Sequence, residues 1–135
     1  MKIQTALLFL TLTTASYAQA GAVVVGKESS FSSMDVDTAK KVFLGREMSI
    51  NGQTVAVVYQ GEGSIRSDFE TKVLGKTGSD LTAYWSRLIF TGKAAPPLEA
   101  GGDDGVKALV GRVNGSVGYI SDGAIDDSVK VLFKF

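Results

Sequence analysis

Cysteine and histidine are both missing from this 135-residue chain, which holds only two prolines and one tryptophan. Without cysteine there is no disulfide framework, so an oxidising compartment is permitted but not exploited. Without histidine, Ser-His-Asp triads, Cys-His dyads and His-bearing zinc sites are excluded together. An enzyme made from this sequence would have to work with carboxylates, lysine or tyrosine. Neither sign of charge is in excess, with 14 basic residues against 14 acidic ones. No basic block is interleaved with aromatics, so nucleic acid is not an expected partner. No apolar run reaches the ~20 residues that span a bilayer. These absences turn the question from catalysis toward binding, with no cofactor and no metal implied.

What is present begins with an export signal. Lys2 forms a short basic start, residues 3–12 form an apolar stretch, and Ala18-Gln19-Ala20 supplies the small-x-small pattern that a signal peptidase accepts. Cleavage after Ala20 is expected to leave residues 21–135, a length that suits one domain and does not span a membrane.

Along that domain, strand and helix patterns alternate. Ala22-Val23-Val24-Val25 reads as a buried strand, followed by a polar loop at 27–33 with four serines. Residues 34–44 carry helical spacing, with Val36, Ala39, Phe43 and Leu44 inward and Ser32 or Ser33 as cap. Two extended segments around Asn51-Gly52 follow. A helix runs from Ser64 toward Gly75 with Ile65, Phe69, Val73 and Leu74 inward, and a second starts at Ser79 with Leu81, Tyr84, Trp85, Leu88 and Ile89 on one face. Ala95-Pro96-Pro97 forces an extended loop, and Gly101 to Gly105 read as a flexible turn. A short helix is expected at 106–113, and strands at 117–120 and 129–135. The pattern predicts a single α/β layered domain.

One junction concentrates the binding chemistry. The apolar run Val55 to Tyr59 stops at Gln60-Gly61-Glu62-Gly63-Ser64 and restarts with helical spacing at Ile65. A helix start offers backbone N–H groups without internal partners beside a partial positive charge, so an anion can be held there. Ser64 Oγ and the amides of Ile65 and Arg66 are the candidate donors, and the Arg66 guanidinium can grip phosphate bidentately. Glu62 repels a fully ionised anion but accepts a hydrogen from a protonated one. The plainer role of Ser64 is a helix N-cap, worth ~1 kcal/mol. Ser29 and Ser30 follow the first strand, where open α/β sheets place ligand loops, and can complete the site from across a crevice. Asp103-Asp104 and Asp126-Asp127 do not have the spacing of a calcium loop and read as solvated turn residues.

Four stretches in order carry a family likeness. Lys41-Val42-Phe43-Leu44-Gly45-Arg46 looks like the "IFLGK" segment of phosphate-binding proteins. Glu62-Gly63-Ser64 resembles their "DGSGT" turn before a helix. Residues 83–93 with Pro96-Pro97, and Gly115-Ser116-Val117-Gly118-Tyr119-Ile120, which looks like "PGAIGYV", complete the set. The chain thus resembles the short phosphate ABC-transporter substrate-binding-like proteins of the periplasmic binding protein superfamily. That likeness implies one lobe of a type II periplasmic binding protein, a periplasmic location, and non-enzymatic binding of phosphate or a related oxyanion. It also implies Gly63 and Ser64 as ligand residues beside Glu62, Ile65 and Arg66, and a transporter as partner. The family's turn is altered here at Gln60, Ile65 and Arg66. The alternative is therefore a degenerate binding-protein lobe that docks on another exported protein, such as a sensor ectodomain or transporter component.

Overall fold

The computed structural model describes residues 19–135. The expected leader lies outside the described residues, apart from Gln19 and Ala20.

Valine-rich β1 (Gly21–Gly26) is buried along its whole length because both faces are covered. It sits inside a five-stranded sheet of order β5-β4-β6-β1-β7, in which β4 is Ala56–Gln60, β5 Leu98–Ala100, β6 Ser116–Ser121 and β7 Val129–Lys134. Strand β4 runs parallel to both β5 and β6, whereas β1 runs antiparallel to β6 and β7. Alternation splits the strands between two cores. Val23, Val25, Tyr59, Val117 and Tyr119 face α1 (Val36–Phe43), α2 (Ser64–Phe69) and α3 (Gly78–Phe90), whereas Ala22, Val24, Val58 and Ile120 face α4 (Asp103–Arg112). Gly118 lets α4 come close to the sheet, since a Cβ there would sit 2.5 Å from Val106 Cγ1. The fold is one mixed α/β layered domain, as the alternating pattern predicts.

The hairpin also matches its signal. Asn51 and Gly52 both take positive φ, 50° and 81°, between the short strands β2 (Ser49–Ile50) and β3 (Gln53–Thr54). Left-handed geometry at both central residues is what the tight hairpin turn requires.

Boundaries differ where a cap or a long-range pairing decides them. Helix α1 starts at Val36, and Asp35, not Ser32 or Ser33, caps it through a 2.7 Å bond from the Thr38 amide. That acceptor is charged and also favoured by the helix dipole, so it outcompetes a serine. Val36 consequently faces solvent, and Met34 joins the core instead. Helix α2 continues through a π-helical turn (Glu70–Leu74) to a left-handed Gly75. Gly63, not Ser64, is the cap residue of α2, and Thr77, not Ser79, that of α3. Helix α4 begins at Asp103, so the glycine run ends earlier than its composition suggests. Strand β5 escapes periodicity because three residues after Pro96-Pro97 are too few to alternate.

Candidate functional site

Strand direction decides where a site can form. Because β4, β5 and β6 are parallel, their C-terminal ends lie together. The chain leaves β4 at Gln60 for α2 on one face, and leaves β5 at Ala100 for α4 on the other. Exits to opposite faces at the carboxyl end of a sheet are where α/β proteins open a ligand crevice.

Glu62, Gly63, Ser64, Ile65 and Arg66 all sit at this end, at or beside the start of α2. No side chain caps that helix start. Ser67 donates its amide to Gly63 O, while the amides of Ser64, Ile65 and Arg66 have no acceptor among the described residues. Glu62, Gly63 and Ser64 are exposed, and Ile65 and Arg66 are half-buried.

Beneath them lies a crosspiece that the sequence did not announce. Gln60, almost fully buried, donates from Nε2 to Asp103 Oδ1 at 2.7 Å and to Tyr119 O at 2.9 Å. The Ser121 amide donates to the same Asp103 oxygen at 3.0 Å. Gly61 N–H reaches Ala100 O at 3.0 Å, and Gln60 N–H reaches the Tyr119 hydroxyl at 3.1 Å. Burial lifts the pKa of that hydroxyl to about 12. Asp103 is therefore a structural acceptor tying α4 to β4 and β6, not a solvated turn residue.

Burial pushes the Asp103 carboxyl up, but the bonds from Ser121 and Gln60 outweigh it and hold its pKa below the usual 3.8. A depressed folded-state pKa adds stability that is present above the unfolded value and lost as pH falls through the folded one. We expect Asp103→Asn to be less stable than the wild type by about 1 kcal/mol at neutral pH, the difference between charged and neutral acceptors. That gap should begin to narrow below about pH 4, the unfolded value, and close as pH falls through the lower folded-state value, where the wild-type carboxylate takes up its proton. Urea midpoints of both proteins against pH measure it.

Arg66 is engaged inside the protein. Its Nε binds Glu70 Oε1 at 2.9 Å, and Nη1 binds Gln60 O at 2.9 Å and Glu99 Oε1 at 3.1 Å. The guanidinium carbon lies 5.7 Å from the Tyr59 ring centroid, within cation–π range. Partial burial works most strongly against its charge, but the bonds from Glu70 and Glu99 and the neighbouring negative groups together outweigh burial and leave its pKa above the ordinary value. With Nε and Nη1 committed, only Nη2 is left to reach outward. The bidentate grip expected of Arg66 is not available in this geometry, because the arginine's first task is to neutralise two carboxylates.

Ser29 and Ser30 are not near this site. Since β1 is antiparallel to β6, the loop after β1 lies at the opposite end of the sheet, where Val25 pairs with Val117 and Gly26 with Val129. Ser29 Oγ accepts from the Phe31 amide at 3.1 Å, and Ser30 Oγ donates to Gln53 Oε1. Their expected part in a shared crevice fails on strand direction, which needs a non-local pairing to be known.

In the other acidic pair, Asp126 is also occupied. Asp126 takes Lys107 Nζ at 2.8 Å, and with the Ser128 bonds this holds its carboxyl well below the usual range. Among the described residues no three His, Cys, Asp or Glu side chains gather as a metal site, and no helix is long and apolar enough to cross a membrane. Tyr84 and Trp85 are packing residues. The Tyr84 hydroxyl donates to Leu44 O at 2.6 Å, and Trp85 Nε1 donates to the Tyr59 hydroxyl at 3.3 Å.

Sequence reasoning missed Gln60, Glu70, Glu99 and Asp103. The Arg66–Glu70 pair had a signal in its i, i+4 spacing. The others are joined only by the fold.

Comparison with solved structures places this architecture. The chain is 21% identical to a protein from Clostridium perfringens assigned as a phosphate ABC transporter substrate-binding protein and solved with bound phosphate, with a TM-score of 0.66 over 84% of this chain and 44% of that one. It is 25% identical to an ABC-type phosphate transport receptor from Vibrio cholerae, with a TM-score of 0.67 over 84% of this chain and 45% of that one. A DING protein matches at 22% identity and a TM-score of 0.58, over 83% of this chain and 37% of its own. The chain thus has a phosphate-binding-protein-like fold and spans less than half the length of these structures, equivalent to a single lobe. No protein-family model matches it, and no curated protein matches it.

Proposed function

We propose that this chain is an exported, non-enzymatic solute-binding lobe that holds phosphate or a related oxyanion weakly at the start of α2. The observation that carries this is the set of unclaimed amides at Ser64, Ile65 and Arg66, at the helix start that follows β4. Ser64 Oγ adds a fourth donor, and Arg66 contributes its Nη2 and a charge shared with Glu70 and Glu99. Glu62 at the rim favours a protonated anion over a fully ionised one. The amides supply direction and the arginine background charge, so binding should be weak and reduced by salt.

Ser64→Pro tests the site without breaking the helix. Proline is favoured at the first helical position, where its missing N–H has no internal partner, and Gly63 before it is already extended. The substitution removes one amide and the hydroxyl together. Calorimetric titration with phosphate should show saturable heat for the wild type and at least tenfold weaker binding for Ser64→Pro, about 1.4 kcal/mol. Equal heats from the two proteins would remove the site.

A second reading is favoured by a set of exposed apolar side chains. Phe90 is 92% exposed at the end of α3, with Ile89, Leu98 and Met48 also open to solvent. On this reading the lobe docks on another exported protein, a transporter component or sensor ectodomain, through these side chains. Docking of this kind predicts no response to phosphate at residues 64–66.

A further inference from the structure

We propose that two copies of this chain pair around the end of α3, the Phe90 ring of each entering an apolar hollow of the other. The pairing gives the exposed side chains of the second reading one occupant, a second copy, and it needs nothing from the oxyanion site.

Among the described residues the exposed large apolar side chains are Val36, Met48, Ile89, Phe90 and Leu98. All but Val36 belong to one neighbourhood. Met48 and Leu98 line a hollow of about 270 Å³, together with Val42, Val57 and Trp85. Ile89 lines a second hollow of about 290 Å³, and the two share Trp85, Pro96 and Pro97 as a common wall. Phe90 follows Ile89 as the last residue of α3. Apolar groups collected in this way on a surface mark an interaction site.

The neighbourhood holds both a ring and a place for one. Glu47 is the only charged residue in the wall of the first hollow. Its volume exceeds the roughly 150 Å³ of an apolar cavity that takes a benzene ring. Phe90 lies between Trp85 and Ala94 in sequence, and both of these line that hollow. At 92% exposure, however, the Phe90 ring does not fold into its own hollow. A second copy can receive it. In a closed two-fold pair the same surface meets itself, so each insertion is made twice. An aromatic side chain buries roughly 150–250 Å², a large part of the ~800 Å² per partner of a standard interface.

Charge also favours a second copy. The chain carries equal numbers of basic and acidic residues, so two copies meet without net repulsion. The rim of the neighbourhood carries both signs as well. Glu47 and Glu99 line the hollows, while Arg87 and Lys93 stand three residues to either side of Phe90 and are exposed. Glu47, Arg87 and Lys93 have no ion-pair partner among the described residues. A rim of one sign would repel its own copy, whereas this one can set the basic end of α3 against acidic groups of the other.

Sedimentation velocity of the exported chain across a concentration series tests the pairing. The wild type should pass from monomer to dimer and stop there. Phe90→Ser removes the ring at an exposed position, and Ala95→Glu places a charge in the hollow wall at another exposed position. Both variants should keep the wild-type urea midpoint, and each should pair at least tenfold more weakly. Mixed in equal amounts they should pair more tightly than either alone, because Phe90 of Ala95→Glu meets the intact hollow of Phe90→Ser. A wild type that stays monomeric, an unchanged dimer in Phe90→Ser, growth beyond two copies, or no gain on mixing would each overturn the proposal. A monomeric wild type would still leave docking on a different exported protein open to its own test. Phosphate response at residues 64–66 should be the same in Phe90→Ser as in the wild type, so the two sites are read separately.

Discussion

Phe69→Ala should lower the unfolding free energy by about 3–5 kcal/mol, the range for removing a large aromatic side chain from a packed core. Phe69 is fully buried and stacks on Tyr119 with ring centroids 4.0 Å apart and planes 13° from parallel. It also meets Phe43 edge-on at 4.8 Å and Phe135 at 5.4 Å. These partners come from α1, from β6 and from the chain beyond β7, so one ring joins segments far apart in sequence. None of them can swing in to fill the gap, because each is itself held. Tyr119 in particular is fixed by its hydroxyl at Gln60. Domains of this size are stable by about 5–15 kcal/mol, so the loss is a large fraction of the total. Urea unfolding should show a much lower midpoint with an unchanged slope. A loss below about 1 kcal/mol would mean that the aromatic cluster is not the keystone of this face.

Arg66→Met should cost about 2–3 kcal/mol, through Glu70 more than through the arginine itself. Removing one member of a buried pair leaves the other charge uncompensated, which is costlier than removing both. The figure stays below the fully buried range because the Arg66 side chain is 24% exposed. Glu70→Gln in the same background should restore at least about 1 kcal/mol, so the two substitutions are not additive. Strict additivity in the double-mutant cycle would show that Arg66 and Glu70 act separately. The same coupling makes arginine replacement a poor probe of ligand binding, since it disturbs the helix that presents the amides.

The contrast between Ser64 and Ser29 shows how much was legible beforehand. Periodicity located the four helices, because each buries one face and its apolar spacing records that, and short continuous apolar runs located β1 and β4, which are covered on both faces. The strand-turn-helix junction at Gln60 to Ser64 was visible for the same reason. Strand direction was not. Nothing local in residues 21–26 states that β1 runs against β6, yet that pairing sends Ser29 and Ser30 to the far end of the sheet. Arg66 presents the same difficulty in side-chain form. Its charge and helical position were plain, but its partner Glu99 is 33 residues away and sits on a three-residue edge strand that composition does not reveal. Asp103 looked like a turn residue because glycines precede it. Its bonds to Gln60 and Ser121 exist only once β4 and β6 lie side by side.

Amide-resolved NMR during a phosphate titration tests the central claim most directly. The account predicts saturable shifts concentrated at the Ser64, Ile65 and Arg66 amides, weakening as salt is added and absent from Ser29 and Ser30. Shifts spread evenly over the surface, or none at residues 64–66 while phosphate still binds elsewhere, would contradict it.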